Sequence, residues 1–191
     1  KDAVDKSSKD LAEIKGACPD AEEYGIKERF SNKTAVAPTA SISIICGGTS
    51  PGIEPIAANV FSHKTLSGTF TVRNAHLKRL LAEKNQDTDD VWISILNNRG
   101  SVQHLEFLTD HEKDVFKTAI EIDQRWLIDL AADRTEMIDQ AQSLNVFVPA
   151  DSNKKYIHDI HFSAWKKGVK SLYYCRSHSI QRAESGSSDE A

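Results

Sequence analysis

The longest stretch of helical periodicity in the sequence begins at Thr109. Apolar residues recur every three or four positions from Val115 to Leu130, the spacing that places side chains on one face of a helix. Glu112 stands three residues after Thr109, as in a capping box, where the two side chains accept each other's backbone N–H groups. The pattern predicts one helix from Thr109 to about Thr135, whose apolar face has to pack against a second layer.

Shorter patterns predict further elements on both sides of this helix. The predicted helices are residues 1–15, ended by Gly16, a short one from Pro19 towards Phe30, residues 73–82, one capped by Thr88 and running through Leu96, and one begun by Asp151 or Ser152 and ended near Gly168. Short apolar runs predict strands at 34–36, 144–148 and 169–175. Residues 59–72 mix apolar and polar positions around a turn at Gly68. Strands separated by helices favour parallel α/β packing.

Composition and charge narrow the class of protein. The 191 residues suffice for one domain with a core, and 39% hydrophobic with 27% charged residues is ordinary for a globular protein. A formal net charge of −4 offers no basic surface for nucleic acid or an anionic membrane. No run of about 18 apolar residues occurs. We therefore expect a cytoplasmic protein with no nucleic-acid or membrane partner, and, since it opens on Lys1, a segment of a longer polypeptide.

Cysteines and histidines offer little metal or redox chemistry. Cys18, Cys46 and Cys175 are odd in number and lack a Cys-x-x-Cys spacing, which favours a reducing compartment and small buried or half-buried side chains. His158 and His161 lie three apart on a predicted helix and could share an ion. No convincing ligand set completes that site, so we expect no metal. Four charged residues are interpreted as ordinary surface or structural groups: Glu54, Arg125, Asp133 and Arg134.

One segment combines a strand, a turn and hydroxyl groups. The run at 34–36 stops at Pro38, the residues Thr39, Ala40, Ser41 and Ile42 follow, and a Gly/Ser/Pro-rich loop occupies 47–52. A helix start leaves unpaired N–H donors and a partial positive charge facing outward, which can hold a phosphate. The residues alone fit an anion site or an ordinary buried strand and loop.

Several motifs occur together in a specific order. They are APTAS at 37–41, GIEP at 52–55, LSG at 66–68, DQAQSLN at 139–145, HFSAWKKG at 161–168 and LYY at 172–174. In this order they resemble the carboxy-terminal part of the large, catalytic subunit of class I ribonucleotide reductase. The resemblance covers roughly residues 34–176.

The resemblance implies a fold and an activity. The family's catalytic domain is a ten-stranded α/β barrel made of two antiparallel half-barrels, so residues 1–176 would be a partial barrel containing only its closing strands and helices. Residues 177–191, small and polar, would form a flexible tail. The implied activity is the reduction of ribonucleotides to deoxyribonucleotides by radical chemistry. The family's thiyl-radical cysteine and allosteric domain lie upstream of this segment, and its usual redox cysteine pair is absent from residues 177–191, so we expect no activity from this chain alone.

The resemblance also assigns a substrate site. The residues that correspond to the loop holding the substrate diphosphate are Pro38, Thr39, Ala40, Ser41 and Ile42. Related subunits often have Thr where this chain has Ile42, so one hydroxyl contact would be missing while the backbone amide is kept.

A second pair of residues, Tyr173 and Tyr174, corresponds to the family's tandem tyrosines. By residue type alone, two tyrosines that serve only for packing are the favoured explanation. The resemblance implies a radical relay that carries an oxidising equivalent from a metal-containing small subunit to the catalytic cysteine. The implied partners are a nucleoside diphosphate, the amino-terminal part of the large subunit, the radical-generating small subunit and the dithiol reductant thioredoxin or glutaredoxin, with no cofactor in this chain.

Two other interpretations stay open. One is a non-catalytic assembly or binding module that docks on a separately encoded partner. The other is a free-standing phosphosugar-binding α/β protein, which would lack a catalytic set of side chains.

Overall fold

Helices alternate with short strands along most of the chain. The structure is a computed structural model that describes residues 1–46, 50–66 and 68–177. Its elements are α1 Asp2–Lys15, α2 Pro19–Glu23, α3 Ala40–Ile45, β1 Val60–Thr65, β2 Gly68–Arg73, α4 Ala75–Glu83, α5 Asp89–Asn97, α6 Asp110–Val115, a 3₁₀ turn Ala119–Glu121, α7 Gln124–Thr135, β3 Val146–Phe147, α8 Lys154–Lys166 and β4 Cys175–Arg176. Within the described ranges, every helix is too short or too polar to cross a bilayer. Part of the predicted loop at 47–52, Ser67 of the LSG motif and nearly all of the predicted tail lie outside the described residues.

Polar side chains fix where several helices begin. The hydroxyl of Thr88 accepts the N–H of Val91 at 3.4 Å, so α5 begins at its predicted cap. The predicted capping box of Thr109 and Glu112 is confirmed. The prediction for α8 was wrong by one or two residues, because Asn153 rather than Asp151 or Ser152 accepts the first-turn N–H of Lys155 at 2.8 Å.

The single helix predicted for 109–135 is wrong. Three elements occupy this stretch, α6, the 3₁₀ turn and α7, because two further capping residues lie inside it. The N–H and hydroxyl of Thr118 each donate to Glu121 at 2.8 Å, and Asp123 accepts the N–H of Arg125 at 3.0 Å. Such local bonds compete with continuation of a helix. The predicted apolar face is therefore broken, and Trp126 is 65% exposed.

Residues 59–72, for which the sequence predicted no helix or strand, contain most of a β-hairpin. β1 and β2 pair antiparallel, with Val60 opposite Arg73 and Thr65 opposite Gly68. Val60 is buried, whereas Phe61 and Phe70 are about half exposed. Because apolar side chains lie on both faces, the strands lack the clean alternation that marks a half-buried sheet. An antiparallel pair therefore accompanies the parallel pairing that the sequence favours.

The remaining strand pairing centres on residues 141–148. The N–H of Val36 donates to Ala141 and the N–H of Ser143 donates to Val36, which makes an isolated parallel bridge. On the carboxy-terminal side, β3 pairs parallel with β4. All three predicted strands are thus shorter than expected. The run 34–36 contributes one bridge, 144–148 is regular only at Val146–Phe147, and 169–175 becomes regular only at Cys175.

Two apolar clusters hold these elements together. The first joins α7, the segment 144–148 and α8, through the buried side chains Leu127, Ile128, Ala131, Leu144, Val146, Val148, Ile160, Ala164 and Val169. The second joins β1, α4, α5 and the loop after α5, through Val60, Leu77, Leu81, Trp92, Ile95, Val102, Leu105 and Leu108. Each fully buried large side chain contributes roughly 1.5–3 kcal/mol. The first cluster directly supports the segment that carries the candidate site.

Candidate functional site

The turn before α3 has the backbone of a helix start. Thr39 adopts a positive φ of 49°, and its carbonyl accepts the N–H of Ser43 at 3.0 Å. The helix proper begins at Ala40. Amides in the first turn of a helix have no acceptor within that helix, and this applies to those of Ala40, Ser41 and Ile42. The Ile42 side chain is 57% exposed.

The loop that follows is anchored by a buried carboxylate. Glu54 is 5% exposed, and one of its carboxylate oxygens accepts the backbone N–H of Asn145. Its carbonyl accepts the hydroxyl of Ser50 at 2.6 Å. A Cβ on Gly52 would lie 2.1 Å from the other carboxylate oxygen. The glycine thus leaves the space that this carboxylate occupies.

The two edges of the segment 141–148 have different partners. On one edge, the N–H groups of residues 143, 145 and 147 donate to the Val36 carbonyl, the Glu54 carboxylate and the Gln124 side chain. On the other edge, Leu144 accepts the N–H of Tyr173 at 2.8 Å and Val146 donates to the Tyr174 carbonyl at 2.9 Å. Alternate residues of an extended chain point their backbone groups to opposite sides. The segment therefore lies between the loop at Glu54 and the two tyrosines.

The rings of Tyr173 and Tyr174 lie against each other. Their centroids are 4.1 Å apart, with the ring planes inclined at 49°. Adjacent residues of a regular strand face opposite sides, and here the regular strand begins only at Cys175. The irregular backbone before Cys175 is what allows the contact. Each ring is about half exposed.

Two neighbouring residues act on this pair. The side-chain oxygen of Asn145 accepts the backbone N–H of Tyr174 at 3.3 Å, and the guanidinium of Arg176 lies 5.5 Å from the Tyr174 ring centroid. Hydrogen bonding to Tyr174 raises the pKa of Tyr173 above its ordinary value, while the charge of Arg176 acts to lower it. Tyr174 therefore affects the pKa of Tyr173 in addition to contacting its ring.

Comparison with known proteins identifies the family. Residues 3–175 match the family model described as ribonucleotide reductase, barrel domain. The chain belongs to this family. The resemblance found in the sequence is thereby confirmed, and the chain forms part of an α/β barrel.

Individual members of the ribonucleotide reductase family cover nearly all of the chain. It is 46% identical over 183 residues to the ribonucleoside-diphosphate reductase large subunit of Invertebrate iridescent virus 6, with 94% of this chain and 19% of the relative covered. The large subunit of Invertebrate iridescent virus 3 is 48% identical over 180 residues, covering 93% and 28%. The class Id alpha subunit of Actinobacillus ureae superposes with a TM-score of 0.77 at 40% identity, covering 92% and 31%. The chain thus spans less than a third of each of these relatives.

The predicted histidine pair and Arg134 make contacts of a structural kind in this segment of the ribonucleotide reductase family. His158 stacks on Phe162 at 5.8 Å, and His161 contacts the carbonyl of Ile157 at 2.7 Å. Across the part of the chain that the structure describes, no group of three or more metal-binding side chains forms. Arg134, predicted to be solvated, donates to the Gln142 side chain at 3.0 Å, which is a partly buried contact.

The cysteines differ from their predicted environment. Cys18 is half-buried as expected, but Cys46 and Cys175 are exposed. Cys46 follows the short helix α3 and Cys175 begins an edge strand, so neither packs into one of the two apolar clusters.

The residue that sequence reasoning missed is Asn145. It touches both the loop at Glu54 and Tyr174. Its only sequence signal is membership of the DQAQSLN motif, which does not specify a partner.

Proposed function

We propose that this chain is part of the large subunit of a ribonucleoside-diphosphate reductase, which reduces ribonucleotides to deoxyribonucleotides by radical chemistry. In this proposal it supplies the radical relay and the substrate diphosphate turn, and it is inactive alone. The observation that carries the proposal is the ring contact of Tyr173 and Tyr174 at 4.1 Å, in a chain of the ribonucleotide reductase family.

The chemistry of a phenol suits the relay. A tyrosine that gives up one electron and its hydroxyl proton together becomes a neutral radical, so no charged intermediate has to form. The neighbouring phenol then returns one electron and one proton to the first ring and becomes the radical itself. Contact between the rings makes this exchange short-range. The oxidising equivalent would come from a metal-containing small subunit and end on a cysteine in another part of the large subunit.

The diphosphate site is proposed at the start of α3. The first-turn amides of Ala40, Ser41 and Ile42, with the hydroxyls of Thr39 and Ser41, match the donors that a phosphate accepts. Pro38 ends the preceding extended segment and so fixes where the turn begins. Because Ile42 has no hydroxyl, its backbone amide would be the donor to the diphosphate at that position.

The proposed partners are those that membership of the family implies. The complete site would require the amino-terminal part of the large subunit, which would complete a ten-stranded barrel, and the radical-generating small subunit. For re-reduction we propose the dithiol protein that the family resemblance implies, thioredoxin or glutaredoxin.

A second candidate, a non-catalytic assembly module, is favoured by one surface. A mainly apolar concavity of about 170 Å³ is lined by residues that include Ile53, Pro55, Trp126 and Leu130. Trp126 and Leu130 are 65% and 55% exposed. Large apolar side chains grouped in this way mark surfaces that bind another protein, so the module would dock here without contributing to chemistry.

Mixing the chain with the amino-terminal part of a related large subunit and its small subunit separates the candidates. Deoxyribonucleotide formation that requires all three components supports the reductase proposal. A stable complex without turnover supports the assembly module. Absence of both association and turnover overturns the two proposals together.

A further inference from the structure

Asn145 connects the loop at Glu54 to the tyrosine pair through two different groups. Its backbone N–H donates to the Glu54 carboxylate, and its side-chain oxygen accepts the N–H of Tyr174 at 3.3 Å. Glu54 is almost completely buried, and a buried carboxylate is stable only when it is hydrogen-bonded or paired. The contact with Asn145 meets that requirement.

The backbone ladder alone does not fix Tyr174. The N–H of Tyr173 and the carbonyl of Tyr174 are both bonded to the segment 144–146. The N–H of Tyr174 is held instead by the Asn145 side chain. A side-chain acceptor can bond a backbone N–H at φ and ψ angles that a regular strand pairing does not allow. Two adjacent rings can meet only at such angles, because neighbouring side chains of a regular strand point to opposite faces.

We infer that Asn145 is the positioning residue of the tyrosine pair, and that Glu54, seated over Gly52, fixes Asn145 in turn. The carboxylate can take this place only because Gly52 has no side chain, since a Cβ there would lie 2.1 Å from it. Gly52, Glu54 and Asn145 therefore act as one unit, although Asn145 lies 91 residues after Glu54 in the sequence. The inference rests on the proposed function, because positioning affects turnover only if the tyrosines relay a radical.

The ring contact has a signature that is measurable in this chain alone. Tyr173 is held to a raised pKa by its hydrogen bond to Tyr174. Loss of the contact should return the pKa of Tyr173 towards its ordinary value of 10.0. The contact should also produce a nuclear Overhauser signal between the two rings.

The test uses the full chain with ¹³C-labelled tyrosine. Asn145→Ala removes the acceptor, whereas Asn145→Asp keeps an oxygen in the same place. The control Asn153→Ala removes a different asparagine contact, the cap of α8. We expect Asn145→Ala to lose the ring-to-ring signal and to lower the pKa of Tyr173, and Asn145→Asp and Asn153→Ala to retain both. A signal retained in Asn145→Ala overturns the inference.

Gly52→Ala disturbs the same unit from its other end. It should displace the Glu54 carboxylate and weaken the ring signal, although neither tyrosine nor Asn145 is itself substituted. If Asn145→Ala does not fold, Gly52→Ala decides the test by the same two measurements. An unaltered ring signal in a folded Gly52→Ala chain contradicts the role of Glu54.

Turnover in the assembled complex separates this inference from the proposed function. A misplacement of about 1 Å in a reacting group can cost about a hundredfold in rate, so Asn145→Ala should lower kcat strongly with little change in KM. If the ring signal disappears and turnover is unchanged, the positioning inference holds and the relay proposal fails. If turnover falls while the ring signal is intact, Asn145 is not a positioning residue.

Discussion

The side-chain oxygen of Gln124 accepts the backbone N–H of Phe147 at 2.8 Å, and so joins the start of α7 to β3. The same side chain donates to the carbonyls of Ala119 and Ile122. Gln124 is fully buried, so every hydrogen-bonding atom of its amide is used inside the protein.

Replacing this residue should therefore destabilise the fold. Gln124→Ala leaves three backbone groups without their partner, one in a buried and two in partly buried contacts, and an unsatisfied buried group costs about 1–3 kcal/mol. We expect the free energy of unfolding to fall by at least about 3 kcal/mol in urea titrations. Gln140→Ala, at an exposed glutamine, should change it by less than about 0.5 kcal/mol. Equal effects at the two positions would contradict the role of the buried amide.

Two glycines with positive φ make a matched pair. A Cβ on Gly100 would lie 2.4 Å from the Ala58 side chain and 2.7 Å from its backbone, whereas a Cβ on Gly25 meets no described atom within 4 Å. Gly25→Ala should cost only the backbone strain, about 1 kcal/mol, while Gly100→Ala must also move backbone and should cost several times more. Thermal unfolding of both variants measures the difference. A smaller loss for Gly100→Ala than for Gly25→Ala would be inconsistent with this packing.

The sequence was most informative where local chemistry determines structure. Thr88 and Thr109 were correctly predicted as helix caps, because a cap depends on residues three positions apart. The helix of 109–135 was mispredicted for the same reason, since Thr118 and Asp123 are also caps but lie within an apolar periodicity. The hairpin was missed because its two faces are both partly exposed.

The candidate site could be predicted only in part. Residue motifs pointed to the Pro38 turn and to Tyr173 and Tyr174, whereas residue type alone favoured packing as the explanation of the tyrosines. The partners of Asn145 lie 91 and 29 residues away in sequence. Contacts at such separation are set by tertiary packing, and no local pattern encodes them.

Acid should weaken the junction between α7 and α8. The pKa of Asp123 is lowered from 3.8 to about 2, chiefly by its hydrogen bond from Arg125, and it also accepts from the Tyr156 hydroxyl at 3.1 Å. Since the pKa is lower in the folded state, this stabilisation is present above the unfolded value of 3.8 and is lost as the pH falls towards about 2. The free energy of unfolding should decline over that interval in the unaltered chain and decline less in Asp123→Asn. Arg125→Gln should flatten the profile in the same way, and an unchanged slope in both variants would exclude this pair as its source.

The last prediction concerns the hydroxyl groups of Tyr173 and Tyr174. Phenylalanine at either position keeps the ring and nearly all of its packing, so the free energy of unfolding should change by no more than about 1 kcal/mol. It removes the O–H proton, however, so the ring can no longer lose a proton together with an electron. In a complex assembled with the amino-terminal part and the small subunit, Tyr173→Phe and Tyr174→Phe should bind nucleoside diphosphate normally and lose turnover. Tyr24→Phe, at a tyrosine that is 75% exposed, should retain turnover and controls for loss of a phenol elsewhere. Turnover within a few-fold of the unaltered complex in either relay variant would assign that tyrosine to packing alone.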